Sequence, residues 1–306
     1  MLRNLNDIFL LDGANRNSWH LDVAIESILD GDAQYARDHL NELLYDEFSS
    51  IPNERGYHGH LYRFTSLPVL NKGKINENKP VISDIKNEAL SFANPKVFND
   101  PMDPILREWL NYKKKESRSS VKKKIFDHLT NALDNLKICC LSRDSENDDE
   151  YVYDHRRMSL NPLMWAHYAD KHRGICIEYE ITDGMITAHN DAHQVLRINN
   201  VRYRDRKVMS DYITLDNALL AKGASWQYEN ETRLLYYDKN INTTSGKADD
   251  YLSLSGFRIK SIYLGYRIKK QDKIDVIEAS ERKGITVFQV SFNNNDITSL
   301  IATEVY

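Results

Sequence analysis

The chain has 306 residues, 41% hydrophobic and 28% charged, with a formal net charge of −4 at pH 7. That length can bury one sizeable core with an appended module, and the acidic balance excludes a wholly basic nucleic-acid surface. No apolar run approaches the length of a membrane span, and the opening Met1, Leu2, Arg3, Asn4 leads only to the apolar stretch 8–11, too brief for a signal-peptide core.

The chain begins with helical patterning. Leu21, Ala24, Ile25, Ile28 and Leu29 recur at helical spacing until Asp30, Gly31 and Asp32 break the run. A second helix carries Tyr35, Ala36, Leu40, Leu43, Leu44 and Phe48 on its apolar side. Such a helical hairpin must lie on something larger to bury its faces. Residues 49–56 read as a linker, which divides the chain into an N-terminal helical segment, 1–56, and a core, 57–306. Strands are predicted over 61–64 and 89–92, followed by the turn-rich stretch 94–101. A helix over 105–136 is bent or broken near 117–120, with Ile125, Leu129, Leu133 and Leu136 on one stripe. Then come a strand at 137–141, an acidic loop at 144–150, a helix at 163–170 and strands at 175–179 and 198–203. A helix at 215–222 precedes strands at 229–237 and 259–265, a helix at 272–283 closed by Gly284, and a last strand at 285–291. The class is α+β: a mixed sheet core flanked by helices, with an N-terminal helical hairpin.

Cys139, Cys140 and Cys176 lack metal-site spacing and cannot all pair within one chain, which fits a reducing cytosol. A cytoplasmic protein with no membrane partner is the expectation.

Three stretches carry candidate chemistry. In Trp226, Gln227, Tyr228, Glu229, Asn230, Glu231, Thr232, Arg233, strand alternation puts Glu229, Glu231 and Arg233 on one face. Two carboxylates so close repel, and Arg233 offsets only part of that, so the strand end is either solvated and salt-bridged or meets a ligand. Residues 91–103 pack turn formers around two phenylalanines. A stiff loop there could hold Asn99, Asp100 and Asp103 at a pocket mouth, while Asp103 otherwise caps the helix that begins near Pro104. Residues 164–174 place Trp165, His167 and Tyr168 on a helix. His167 and His172 stand five apart and do not form a helical zinc pair. Glu178, in an apolar strand, needs a partner, and a basic one is expected. The basic run of Lys113, Lys114, Lys115, Arg118, Lys122, Lys123 and Lys124 reads as a solvated face, with weak contact to an RNA or DNA backbone as the functional option. No phosphate loop, GxGxxG fingerprint, CxxC pair or GxSxG elbow occurs.

Taken in order, Leu61-Tyr62-Arg63-Phe64, the loop 92–103, residues 164–179 and residues 226–233 resemble a widespread bacterial family catalogued as a domain of unknown function. Its members carry LYRF, FxNPxxFNDPxD, MWxHYxxxHxGxCIEY and WxYExExR, and some lie near phage-defence genes, which implies a defence or toxin effector. The core also resembles ADP-ribosyltransferases, which cleave NAD at the nicotinamide–ribose bond. Arg63, Ser91 and Glu229-Asn230-Glu231 follow the order of the Arg, Ser and E-x-E of those enzymes, although Ser91 lacks their Ser-Thr-Ser surroundings.

That resemblance implies Glu231 stabilising a cationic ribose, Glu229 orienting the attacking group, Arg63 holding a phosphate, and Tyr62 or Trp226 stacking on a ring. Ser91 and His167 complete the catalytic candidates. Asn99, Asp100, Trp165, Tyr168 and Arg233 join the ligand-binding ones, with NAD as cofactor or substrate, a protein or nucleic-acid acceptor, and no resident metal. The alternatives are a metal-dependent hydrolase or nuclease built on Asp100, Asp103, His167 and Glu178, or a non-catalytic ligand-sensing module.

Overall fold

The computed structural model describes residues 18–54, 58–67, 80–98, 100, 103–144, 157–204, 215–240 and 250–306. The chain opens with α1 (Ser18–Asp30) and α2 (Ala33–Ser50), the latter capped by the Asp32 side chain accepting from the Tyr35 amide. Then follow β1 (His58–Thr65), α3 (Pro80–Asn87), β2 (Ala89–Ala93), α4 (Leu106–Glu116), α5 (Ser120–Ala132) and β3 (Leu136–Arg143). Next are α6 (Pro162–Tyr168), β4 (Ile175–Thr182), α7 (Asp183–Thr187), β5 (Gln194–Asn200), β6 (Arg202–Arg204), α8 (Leu215–Leu220), β7 (Ala221–Gly223) and β8 (Glu231–Asp238). The chain closes with β9 (Tyr251–Ser255), β10 (Arg258–Leu264), α9 (Lys270–Glu281), β11 (Thr286–Asn293) and β12 (Asp296–Glu304). The architecture is α+β. Helices α3 and α7 and strands β9 and β12 lie outside the predicted elements, and β7 begins where the helix expected over 215–222 ends early, at Leu220.

Among the described residues the main sheet has ten strands, in the order β12-β11-β10-β4-β1-β3-β2-β9, with β8 pairing β3 and β5. Its pairings are antiparallel except β10 with β11, and β6 and β7 form a separate parallel pair. Strand β3 is the hub. One of its edges pairs β8 from Leu136↔Tyr237 to Ser142↔Glu231, while the other meets β2 near one end and β1 near the other, with Tyr62↔Ser142.

One sheet face bears Tyr62 and Phe64, Cys140 and Ser142, and Glu231, Arg233, Leu235 and Tyr237, as period-2 alternation requires. Two apolar clusters cover this face. At one end α1, α2, α4, α5 and α8 pack on Leu136, Ile138, Leu235 and Tyr237; at the other, Trp165 and Met164 of α6 pack with Tyr62, Phe64 and Tyr263. Charged side chains fill the gap between them. The opposite face carries Leu61, Leu141, Tyr179 and Leu234 beneath α3, α7 and α9.

The link between α6 and β4 depends on close backbone approach. A Cβ at Gly174 would lie 2.1 Å from the Thr65 carbonyl oxygen, and one at Gly265 would lie 2.2 Å from that of His172. Thr65 ends β1 and His172 lies in the turn that leads into β4, so neither carbonyl can yield without moving backbone. Gly174→Ala should lower Tm by about 2–5 °C, read by circular dichroism melting, since overpacking costs about 1–3 kcal/mol. An unchanged Tm would show that the strand ends yield easily.

Candidate functional site

Glu231 and Arg233 share a face of β8, as alternation predicts. Glu229 does not belong to that strand: it ends a 3-10 turn, Ala224–Glu229. Between them Asn230 sits at φ 42°, a left-handed conformation that asparagine tolerates when its side chain is satisfied locally. Here its Nδ2 donates to the carbonyls of Arg143 (3.0 Å) and Asp144 (2.8 Å), and Arg143 Nε donates to its Oδ1 at 3.1 Å. This pinned turn folds Glu229 back toward Glu231.

Arg233 is 0% exposed. Its Nε donates to Glu231 Oε1 (2.7 Å), its Nη2 to both Asp103 oxygens (2.8 and 2.7 Å) and its Nη1 to the Leu219 carbonyl (2.5 Å). Lys222, from β7, donates to Glu231 Oε2 at 2.8 Å and to Glu229, and lies 3.2 Å from Asp103 Oδ2. Asp103 therefore holds Arg233 and Lys222 rather than capping a helix; α4 starts at Leu106 with no side-chain cap. Tyr168 of α6 donates its hydroxyl to Glu229 Oε1. That helix is set by Pro162 at its first position and by Asn161 Oδ1, which accepts from the Leu163 amide at 3.0 Å.

Above this cluster opens a cavity of about 200 Å³. Tyr62, Phe64, Phe98, Met164, Tyr168 and Trp226 form its walls. Asp100, Asp103, Lys222, Glu229 and Glu231 bring charge to it, and Cys140, Leu141 and Ser142 complete the lining. The Trp226 ring lies over Lys222 Nζ, 5.3 Å from its centroid.

The two glutamates are pushed in opposite directions. Burial raises the Glu229 carboxyl above the usual carboxylate range, and Lys222 and Tyr168 offset this only in part. Desolvation would raise Glu231 too, but Arg233 and Lys222 outweigh it and bring its pKa to about 2. For Lys222, desolvation opposes the charge, yet Glu231, Asp103 and Glu229 prevail and hold it above its ordinary value. Cys140 reaches solvent through the cavity while surrounded by protein, and this desolvation, with Glu231 beside it, pushes its thiol well up.

Because Glu231 is depressed from 4.5 to about 2, its contribution to stability is present above pH 4.5 and is lost as pH falls toward 2. Unfolding by acid should therefore steepen across that window. Glu231→Gln should flatten the pH 4.5–2 limb of a urea-midpoint profile, and an unaltered limb would contradict the ion cluster.

The predicted site residues separate into two groups. Tyr62, Asp100, Tyr168, Trp226, Glu229 and Glu231 meet at the cavity, with Arg233 directly beneath. Arg63 and Ser91 do not join them. Odd-numbered positions of β1 face away from Tyr62 and Phe64, so Arg63 reaches the other side of the sheet, 3.9 Å from Asp84, to which Ser91 also donates. Trp165 is core: it is 0% exposed, and its Nε1 donates to the Ser159 carbonyl at 2.7 Å. His167 is exposed and bonds the Tyr228 hydroxyl at 2.8 Å, outside the lining. Asn99 lies outside the described residues.

The proposed metal set does not assemble either. Glu178 sits opposite the wall residue Tyr62 but is held by His60 Nδ1 (2.8 Å), Ser261 and Tyr263 (3.0 Å) and is not among the cavity-lining residues. Among the described residues, no group of three or more His, Cys, Asp or Glu is placed to hold a metal ion. No described helix is long and apolar enough to cross a membrane.

Residues 164–234 match the family model described as Protein of unknown function (DUF2971). The DUF2971 match spans Met164, Tyr168, Lys222, Trp226, Glu229, Glu231 and Arg233, so it includes much of the cavity while leaving Tyr62, Asp103 and Cys140 outside. No curated protein and no solved structure matches the chain.

Lys222 is the main residue that sequence reasoning missed. A lysine following the apolar run Leu215, Ala218, Leu219 and Leu220, and closely preceding Trp226 and Glu229, was the available signal. Ser142 and Cys140 become visible only through the register that sets them opposite Glu231 and Arg233.

Proposed function

We propose that the cavity cleaves the bond between nicotinamide and ribose in NAD, with Glu229 as the base. The observation that carries this reading is the pair of carboxylates driven apart in acidity beneath aromatic walls, which is how one site assigns different roles to two acids. Glu231 has both oxygens engaged by Arg233 and Lys222, so it anchors the cluster. Glu229 receives Tyr168 and Lys222 at the cavity, and its raised pKa suits proton exchange nearer neutrality. This reverses the roles that the resemblance implies for the two residues.

In the proposed step the C1′–N bond breaks, its electron pair passes to the ring nitrogen, and neutral nicotinamide leaves. Water forms the new C1′–O bond as its proton passes to Glu229. The surrounding carboxylates stabilise the cationic ribose that develops in between. The cavity's scale fits a ring: about 150 Å³ holds a benzene, and this one has about 200 Å³.

Incubation with NAD and chromatographic detection of nicotinamide tests the reading. Release from the wild type that disappears in Glu229→Gln supports it. No release, together with a ligand-dependent rise in Tm, would make the protein a non-catalytic sensor.

A further inference from the structure

We infer that the cavity selects its ligand by charge, favouring a cationic aromatic ring over neutral and anionic rings of the same shape. The inference rests on the proposed reading for the identity of the ring, but its argument is independent. The charged cluster beneath the cavity contains Asp103, Glu229 and Glu231 against Lys222 and Arg233, three carboxylates to two cations. Asp100 lines the cavity as well and is left out of this count.

Neither cation is available to an anionic ligand. Arg233 is fully buried with its fork spent on Glu231, Asp103 and the Leu219 carbonyl. Among the described residues Lys222 is the one basic side chain in the lining, and it is held among three carboxylates. A phosphate or carboxylate entering the cavity would face net negative charge, with no guanidinium among the described lining residues to meet it. Glu229 and Glu231 are both buried, so the penalty is only weakly screened.

The walls favour the opposite charge. Tyr62, Phe64, Phe98, Tyr168 and Trp226 line the cavity, and aromatic faces attract cations electrostatically. The pyridinium ring of NAD carries that charge, and its phosphates would remain outside. The reduced dinucleotide has a ring of nearly the same outline without the charge. The site is therefore built to discriminate the oxidised from the reduced form.

Ligand-detected NMR titrations of the full chain with 1-methylnicotinamide (methylated on the ring nitrogen, a cation), nicotinamide (neutral) and nicotinate (anion) test this directly. The cation should bind about tenfold more tightly than nicotinamide, with nicotinate weaker still. In Glu229→Gln, where two carboxylates face two cations, the preference should shrink to about twofold. Equal binding of cation and neutral ring, or tighter binding of nicotinate, overturns the inference. Nicotinamide release from NAD without a cation preference would also overturn it while leaving the cleavage reading intact. A cation preference without release would uphold it and remove that reading.

Discussion

Replacing Arg233 with methionine should cost about 3–5 kcal/mol of stability, the largest effect expected of any single substitution in the cluster. The loss comes from what remains. Glu231 and Asp103, both buried, would lose the guanidinium that holds all four of their oxygens, leaving Lys222 to face three carboxylates alone. Against a total stability of roughly 5–15 kcal/mol, that change should lower the urea midpoint sharply. Adding Glu231→Gln to Arg233→Met removes one stranded charge and should restore part of the loss, a coupling that a double-mutant cycle reads directly. If the two substitutions were additive, the residues would not be acting as a pair.

The second large effect falls on turnover. Glu229→Gln should reduce nicotinamide release by about 10²–10⁴-fold, the range for a lost general base. Its Tm should stay near that of the wild type, because Lys222 retains Asp103 and Glu231. The pH profile separates chemistry from packing. A base must be ionised to act, so the wild-type rate should climb as pH rises through the elevated pKa of Glu229 and level off above it. The variant's residual rate should be flat across the same range. A variant that kept the sloping limb would exclude Glu229 as the titrating group.

Local periodicity made most of the fold legible. The break at Ser117–Ser119 between α4 and α5, the short helix α6 and the strand–helix–strand ending all follow from spacing and turn residues. Strand β12 follows three asparagines and carries few consecutive apolar residues, and β9 is an edge strand with alternating exposure, so neither gave a strong signal. The site was half legible for a related reason. Alternation along β8 correctly placed Glu231 with Arg233, but the left-handed Asn230 ends the strand there and brings Glu229 in by another route.

Long-range pairing accounts for the rest. Asp103 looked like a helix cap because capping is local, whereas its actual partner is 130 positions away. Arg63 and Ser91 followed a familiar chain order, yet sheet parity sends them to Asp84 on the reverse face. Chain order carries no information about which face a strand residue occupies; only the register does.

That reverse-face placement offers the most direct test of where the site lies. Trp226→Ala and Arg63→Ala should be assayed side by side for NAD-dependent nicotinamide release, with melting curves confirming that both are folded. Loss of release in Trp226→Ala with near-normal release in Arg63→Ala would locate the chemistry on the Glu231 face. The opposite pattern, with Arg63 essential and Trp226 dispensable, would contradict it.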